Sequence, residues 1–192
     1  MEHSIKLIVG LGNPGNEYEH TRHNTGVWFV EQLAQQHNQS WQNETKFHGL
    51  VSKISDDNHE CRLLIPTTYM NNSGRAVAAI ANYYKIKPEE ILIAHDELDV
   101  PVGTVRLKFN GGDGGHNGLK DIFKALDSKK FYRLRIGIDR PKNINNIVDY
   151  VLDKPSKAQR QEINQAIDTA LLIIPDLLSG MINKATQQLH TL

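Results

Sequence analysis

The chain has few of the features that mark secreted or membrane-bound proteins. Cys61 is its single cysteine, so no disulfide can form within the chain, and a reducing compartment is favoured. The HECRLLIP context of Cys61 is typical of the start of a strand, which predicts a buried, unreactive thiol. No apolar run approaches the ~18 residues that span a bilayer, and the N-terminus does not resemble a signal peptide. These absences predict a cytoplasmic globular protein with no membrane attachment.

Net charge is also absent, but the charges are distributed unevenly. The chain has 22 Lys and Arg residues and 22 Asp and Glu residues. The segment from Thr104 to Lys142 nevertheless contains ten Lys or Arg residues and four Asp residues. A region with excess positive charge attracts phosphates even in a neutral protein. The sequence therefore favours a phosphate-bearing partner; the alternative is a solvated surface on which these charges do not cluster.

Repeats, low-complexity tracts and Pro- or Ser-rich linkers are missing, so residues 1–192 are expected to form a single domain. Amphipathic helical patterns alternate with Val-, Ile- and Leu-rich runs. This alternation predicts an α/β fold, namely a three-layer sandwich with a twisted mixed, mostly parallel sheet flanked by helices. The strand at 103–109 follows its predecessor after a short turn and is the one expected to run antiparallel. The predicted strands are 5–10, 49–54, 61–66, 90–96, 103–109 and 132–138.

The C-terminal part of the chain contains the longest helical pattern. A helix is predicted to begin after Ser156, a residue suited to the N-cap. Its apolar stripe is formed by Ile163, Ile167, Leu171 and Ile174. Pro175 is predicted to end or kink this helix, and a last helix is expected over 176–190.

Gly10, Gly12 and Gly15 have the GxGxxG spacing of a dinucleotide-binding turn. Such a turn leads directly into a helix, and an acidic residue ends the next strand ~20 residues later. Here NEYEHTRHN follows the glycines without helical periodicity, and no strand end supplies the acidic residue. The Gly-Lys-Ser/Thr sequence of a phosphate-binding loop is missing as well. No nucleotide cofactor is therefore predicted.

Polar side chains follow several of the predicted strands or stand in the loops beside them. Ligands of open α/β sheets bind at the carboxyl ends of the strands, so these residues are expected to meet. No GxSxG motif supplies a serine nucleophile, and Ser73 has a simpler role as a helix cap. A histidine supported by a carboxylate can instead activate water, and asparagine amides can bind that water and stabilise an oxyanion. The residues of this group are Asn13, His23, Asn24, Asn71, Asn72, Asp96, His116 and Asn117.

Each of these residues also has an ordinary structural interpretation. His23 is compatible with a surface loop, Asp96 with an acidic turn, and Asn71 with a helix cap. A zinc site made by His20, His23, His95 and Asp96 is a further alternative, but no HExxH motif or cysteine pair supports it.

The ordered motifs are more specific than any single residue. GLGNPGNEYEHTRHNTG, PTTYMNNSG, AHDELD, GGDGGHNGLKDI and FYRLRIGIDRP cover most of residues 5–155. Together they resemble the successive signatures of the bacterial peptidyl-tRNA hydrolase family. The resemblance implies an esterase that cleaves the bond between an N-blocked peptide and the 3′ end of tRNA. It also implies catalysis without a metal or other cofactor, no obligate protein partner, and a monomer.

The resemblance also implies roles for individual positions. His23 matches the catalytic histidine, Asp96 the aspartate that supports it, and Asn13 the asparagine that selects N-blocked substrates. Asn71 and Asn117 match the asparagines that bind substrate and catalytic water. The positions matching the 3′-end and peptide cleft are Tyr18, Tyr69 and Met70, and those matching a clamp for the tRNA 5′-phosphate are Lys108 and Arg135. A non-catalytic RNA-binding relative remains the rival interpretation.

Overall fold

The computed structural model describes residues 3–191. Its strands are β1 (Leu7–Gly10), β2 (Gln42–Glu44), β3 (Gly49–Asp56), β4 (His59–Pro66), β5 (Ile91–Glu97), β6 (Val105–Phe109) and β7 (Tyr132–Gly137). They form one seven-stranded sheet in the order β2-β3-β4-β1-β5-β7-β6. Parallel pairs join β1 to β4, β1 to β5, and β5 to β7. Within the described range, five strands point the same way and β3 and β6 point the other way, so the predicted mixed, mostly parallel sheet is confirmed.

Helices cover both faces of the sheet. They are α1 (Thr25–Gln36), α2 (Ser73–Tyr84), α3 (Asn117–Leu126), α4 (Ile147–Val151), α5 (Lys157–Leu171), α6 (Ile174–Leu178) and α7 (Ile182–Thr191). On one face, α2 and α3 bury Val77, Ile80 and Leu119 against β1 and β5. On the other face, α1 and the C-terminal helices bury Phe29 and Ile167. Strand residues alternate between these two cores, as the period of two in a β-strand requires.

Glycines bring α1 very close to the sheet. A Cβ on Gly26 would lie 2.2 Å from the carbonyl oxygen of Ala94, and a Cβ on Gly10 would lie 2.4 Å from that of Gly26. Neither position can therefore hold a larger residue without a shift of the backbone. Gly10, the first glycine of the GxGxxG spacing, accordingly serves close packing, and α1 begins only at Thr25.

The edge strand β6 is covered by α7. The imidazole Nε2 of His190 accepts a hydrogen bond from the main-chain N–H of Leu107 at 3.2 Å. Burial, followed by the charge of Arg106, lowers the pKa of His190, which favours the neutral imidazole that can accept this bond. The N–H of Leu107, which faces away from β7, is thereby satisfied.

Several elements differ from the prediction. Strand β3 runs antiparallel, although 103–109 was the one strand expected to do so, and the last helix, predicted over 176–190, begins at Ile182. Strand β2 was not predicted, because its residues Gln42–Glu44 are polar and only partly covered. Helix α5 ends at Leu171, before Pro175, and Pro175 lies in the first turn of the short helix α6. Helix α4 was not predicted, since five residues are too few for a clear helical period. The predicted cap is confirmed, because Ser156 Oγ accepts the N–H of Gln159 at 3.1 Å.

The buried, unreactive Cys61 is also confirmed, since its side chain is inaccessible and burial raises the pKa of the thiol. Among helices of the described chain, none has the combination of length and apolar character that crossing a membrane requires.

Candidate active site

A cleft of about 480 Å³ opens at the carboxyl ends of the central strands. The loops after β1, β4 and β5, the N-terminus of α3 and the helix α4 form its walls. Eight of the ten predicted site residues line it, namely Asn13, Tyr18, His23, Tyr69, Met70, Asn71, Asp96 and Asn117. The remaining two, Lys108 and Arg135, lie on β6 and β7 outside the cleft.

His23 and Asp96 form a buried pair at the base of the cleft. His23 is 9% exposed and Asp96 is 4% exposed. Nδ1 of His23 lies 3.0 Å from both carboxylate oxygens of Asp96. His23 reaches this position from a 3₁₀ turn at Arg22–Asn24, directly before α1, and Asp96 from the carboxyl end of β5.

His116 is a third member of this cluster. Its Nε2 lies 2.9 Å from Asp96 Oδ1, and its Nδ1 accepts the main-chain N–H groups of Gly118 and Leu119 as the N-cap of α3. Because Nδ1 accepts, the neutral His116 ring carries its hydrogen on Nε2 and donates it to Asp96. Asp96 therefore receives hydrogen bonds from two histidines.

The surroundings favour an ionised Asp96 and raise the pKa of His23. Burial opposes the charge on Asp96, but the neighbouring His23 and His116 outweigh burial and lower the pKa of the carboxyl. Burial alone would lower the pKa of His23, because it disfavours the charged imidazolium. The charge of Asp96 and the hydrogen bond to it raise that pKa instead. With Nδ1–H donated to Asp96, the lone pair of neutral His23 lies on Nε2.

His95, the residue before Asp96, takes a different role from its neighbours. It is 1% exposed, and its Nδ1 lies 2.8 Å from the carbonyl oxygen of Asp96. Burial, followed by the neighbouring His116, lowers the pKa of His95 to about 3. The ring is therefore neutral at ordinary pH and packs edge-on against His116, with centroids 5.1 Å apart.

Asn13 is fixed by three hydrogen bonds. Its main-chain N–H and C=O groups bond to the side chain of Asn24 at 2.8 Å and 2.9 Å. Its own Oδ1 accepts the N–H of Met70 at 2.7 Å. Because Oδ1 is occupied, the amide NH₂ is the group that Asn13 can offer to a ligand in the cleft.

The other two asparagines are open to the cleft. Both Asn71 and Asn117 are exposed, and their side-chain amides form no hydrogen bond with the residues described here. Asn71 is not a helix cap, nor is Ser73, whose hydroxyl donates to the carbonyl of Met70 at 2.7 Å.

One wall of the cleft is aromatic and another is aliphatic. Tyr18 and Tyr69 meet edge to face with centroids 6.3 Å apart, and Tyr69 is 57% exposed. Opposing side chains come from α4 and the residue after it, and Val148 remains 66% exposed. The aliphatic wall comprises Ile147, Val148, Val151 and Leu152.

The predicted basic pair lies on the same face of the sheet as α2 and α3, in the part of that face that these helices do not cover. Lys108 is exposed, and Arg135 donates from Nε to Glu97 Oε2 at 2.9 Å. In the antiparallel register, Lys108 stands opposite Arg133 and Arg106 stands opposite Arg135. All four cations therefore share one face, and Lys108 and Arg135 are diagonal neighbours. Arg133 is buried and donates to the carbonyls of Gly112 and Asn110 at 2.7 Å and 2.8 Å.

The histidines do not form the zinc site considered from the sequence. His20 lies on the surface and pairs with Glu19 at 2.9 Å. Within residues 3–191, the group with metal-ligand geometry is instead His23, Asp96 and His116, whose ligand atoms lie within 4.8 Å of one another. Two imidazoles and a carboxylate are ligands that suit zinc.

Sequence reasoning placed His116 and Asn24 in the polar group but gave neither a role, and it missed the wall formed by α4. His116 follows the glycines at the start of a predicted helix, so its position at an N-terminus was visible, but its bond to Asp96 was not. The partner of Asn24 is eleven residues away, and no periodic signal marks such a contact.

Comparisons with known proteins identify the family of the chain. The family model described as peptidyl-tRNA hydrolase matches residues 7–192. Curated peptidyl-tRNA hydrolases from Coxiella burnetii and Neisseria meningitidis are 55% and 52% identical over 191 residues, covering 100% of each chain. The crystal structure of peptidyl-tRNA hydrolase from Acinetobacter baumannii has a TM-score of 0.94 and 46% identity, covering 98% of this chain and 97% of that one. The chain belongs to the peptidyl-tRNA hydrolase family.

Proposed function

We propose that His23 is the general base that activates water to cleave the ester of peptidyl-tRNA. The observation that carries this proposal is the buried His23–Asp96 pair, which leaves Nε2 of His23 available in the cleft beside Asn13. Asp96 fixes the tautomer and stabilises the imidazolium that forms when a proton is taken up.

The reaction then proceeds by addition and elimination. Nε2 of His23 takes a proton from water while the water oxygen bonds to the ester carbonyl carbon, giving a tetrahedral oxyanion. The oxyanion collapses, the bond to the 3′-terminal ribose oxygen breaks, and that oxygen receives the proton from the imidazolium. The products are a free peptide and a reusable tRNA.

The asparagines supply uncharged polar contacts. The NH₂ group of Asn13 donates to the substrate, and Asn71 and Asn117 bind the ester region and the attacking water through their free amides. These groups and one imidazole suffice for an ester whose leaving group is a ribose hydroxyl, so we propose hydrolysis without a metal.

The two ends of the substrate contact different surfaces. Tyr69 offers an exposed ring on which the terminal adenine can stack, while Tyr18 and Met70 complete that side of the cleft. The aliphatic wall of α4 receives the acyl part, and Lys108 and Arg135 bind the 5′-phosphate of tRNA. We propose that the whole chain acts as one catalytic unit and as a monomer, a state that sedimentation or light scattering can measure.

The decisive experiment compares His23→Ala with His20→Ala on an N-acetylated aminoacyl-tRNA. His20 is an exposed histidine three residues away and serves as the matched control. We expect at least a 100-fold loss of turnover in His23→Ala, in line with the typical range for general bases, and near-normal turnover in His20→Ala. Both variants should retain tRNA binding in a filter assay. Turnover close to that of the unaltered protein in His23→Ala would refute the proposed base.

A further inference from the structure

Arg22 is a buried arginine directly before the catalytic-site histidine. It is 7% exposed, and its guanidinium forms no ion pair with any described carboxylate. Its charge is instead met by neutral acceptors and by an aromatic ring. Since a buried cation costs free energy unless it is well bonded, this arrangement calls for an explanation beyond stability.

The contacts of Arg22 lead to one region of the chain. Nη1 donates to the carbonyl of Tyr150 at 3.0 Å, and Cζ lies 4.0 Å from the centroid of the Tyr150 ring. Nη2 donates to Oε1 of Gln159 at 3.2 Å, and the main-chain N–H donates to the carbonyl of Asp153 at 3.0 Å. One residue thus joins the His23 segment to α4, to the turn after it and to α5.

Helix α4 depends on such contacts. It has five residues, far fewer than the ~12–15 that an isolated helix needs, so its position is set by tertiary bonds. Besides Arg22, the hydroxyl of Tyr150 anchors it to the carbonyl of Ile138, just after β7. The opposite side of α4 forms the aliphatic wall of the cleft.

We propose that Arg22 is a positioning residue that fixes the aliphatic wall of α4 relative to His23. It thereby sets where the acyl part of the substrate lies with respect to the base. This inference rests on the proposed function, because it takes His23 as the base. The planar guanidinium suits the role, since it bonds to two acceptors and stacks on Tyr150 at the same time, which a lysine cannot do.

The test measures kcat and KM for Arg22→Met with two substrates. One is N-acetylglycyl-tRNA, whose acyl group is small, and the other is an N-acetylated tri-leucyl-tRNA, which reaches further along the wall. Met keeps an apolar stem and removes the fork of donors. We expect kcat/KM to fall roughly 10- to 100-fold on the leucyl substrate, because small misplacements of reacting groups are costly, and several-fold less on the glycyl substrate. Equal losses on both substrates would overturn the proposal.

A double-mutant cycle with Leu152→Ala tests whether the effect passes through α4. Once the wall is shortened, Arg22→Met should cost less on the leucyl substrate than it does in the intact protein. Strictly additive losses would contradict coupling through this wall. Should Arg22→Met fold poorly, Arg22→Lys retains the charge and one donor, and it should give an intermediate loss with the same preference for the leucyl substrate.

Arg160→Met is the matched control. Arg160 is also partly buried and stacks on an aromatic ring, with Cζ 3.4 Å from the Trp28 centroid, but its Nε donates to Asn164 of α5 and not to α4. Arg160→Met should lower the melting temperature without discriminating between the two substrates, and equal discrimination by both arginine variants would overturn the proposal.

His23→Ala, assayed on the same substrates, separates the test of the proposed base from the test of the role of Arg22. Activity retained in His23→Ala would refute the proposed base, whereas the Arg22 variants test only the position of the aliphatic wall.

Discussion

The side chain of Asn24 bonds to both main-chain polar groups of Asn13. Oδ1 of Asn24 accepts the N–H at 2.8 Å, and Nδ2 donates to the C=O at 2.9 Å. Asn24 is 4% exposed, so these bonds are shielded from water. The orientation of Asn13 in the cleft thus depends on a residue that has no need to contact the substrate.

The substitution Asn24→Asp tests this dependence. It retains an acceptor for the N–H of Asn13 but places a carboxylate oxygen against the Asn13 carbonyl, where a donor was. We expect kcat/KM to fall by about tenfold or more, because a lost buried hydrogen bond costs ~1–3 kcal/mol. Steady-state hydrolysis of an N-acetylated aminoacyl-tRNA measures the effect. Asn82→Asp, at an exposed position of α2, is the control and should be neutral.

The pH dependence of hydrolysis follows from the pair His23–Asp96. His23 must be neutral to act as a base, and the charge of Asp96 raises its pKa above the ordinary 6.5. We therefore expect kcat/KM to rise with pH, with a midpoint above 6.5. In Asp96→Asn the charge is gone and burial remains, so the midpoint of the residual activity should move to lower pH. A midpoint that does not move would argue against this coupling.

The His23–Asp96 pair also contributes to the stability of the fold. This contribution decreases as pH rises, whereas hydrolysis is expected to increase. Because folding raises the pKa of His23, its contribution is fully present at pH below the unfolded value and is lost as pH rises through the folded value. Thermal unfolding across this range should show that contribution decline with pH in the unaltered protein, and the decline should be absent in His23→Ala.

Zinc should inhibit the enzyme. The ligand atoms of His23, Asp96 and His116 lie within 4.8 Å of one another, close enough for small shifts to coordinate one ion. A bound ion would occupy Nδ1 of His23 and displace the hydrogen that this nitrogen donates to Asp96. We expect added Zn²⁺ to lower turnover, EDTA to restore it, and EDTA alone to change nothing in metal-free buffer. His116→Gln should bind zinc more weakly in calorimetry. Loss of activity with EDTA alone would instead support a zinc hydrolase.

The proposed phosphate clamp makes a prediction about substrate length. Lys108→Gln or Arg135→Gln should weaken hydrolysis of full-length peptidyl-tRNA much more than that of a short 3′-end fragment, which lacks the 5′-phosphate. The salt dependence of KM should also become shallower, because fewer counterions are released on binding. Lys53→Gln, on β3 and paired with Glu60, is the matched control. Equal losses on both substrates would contradict the clamp.

Much of the fold and of the cleft could be predicted from local patterns. The continuous apolar runs of β1, β4, β5 and β7 identified the central strands, and polar residues at their ends marked the edge where the cleft opens. Parallel strands bring their carboxyl ends to one side of a sheet, so Asn13 and Asp96 could be expected to lie together.

Contacts between distant segments could not be predicted in this way. Nothing near His116 in the sequence indicates Asp96, twenty residues earlier, as its partner. Likewise, Arg22 meets Tyr150 across 128 residues of chain. Short elements such as β2 and α4 gave no period to read, because their stability comes from the surfaces on which they pack.

The bond from Leu107 to His190 has a consequence for association between molecules. The strand β6 lies at the edge of the sheet, and an uncovered edge strand presents main-chain donors and acceptors with which another strand can pair. With α7 in place, the N–H of Leu107 is blocked. A protein from which α7 had been cleaved would expose the edge of β6 beside Arg106 and Lys108. Pairing of such edge strands between copies would make Lys108 inaccessible to tRNA. Self-association and loss of the tRNA contact would then be two results of the same cut.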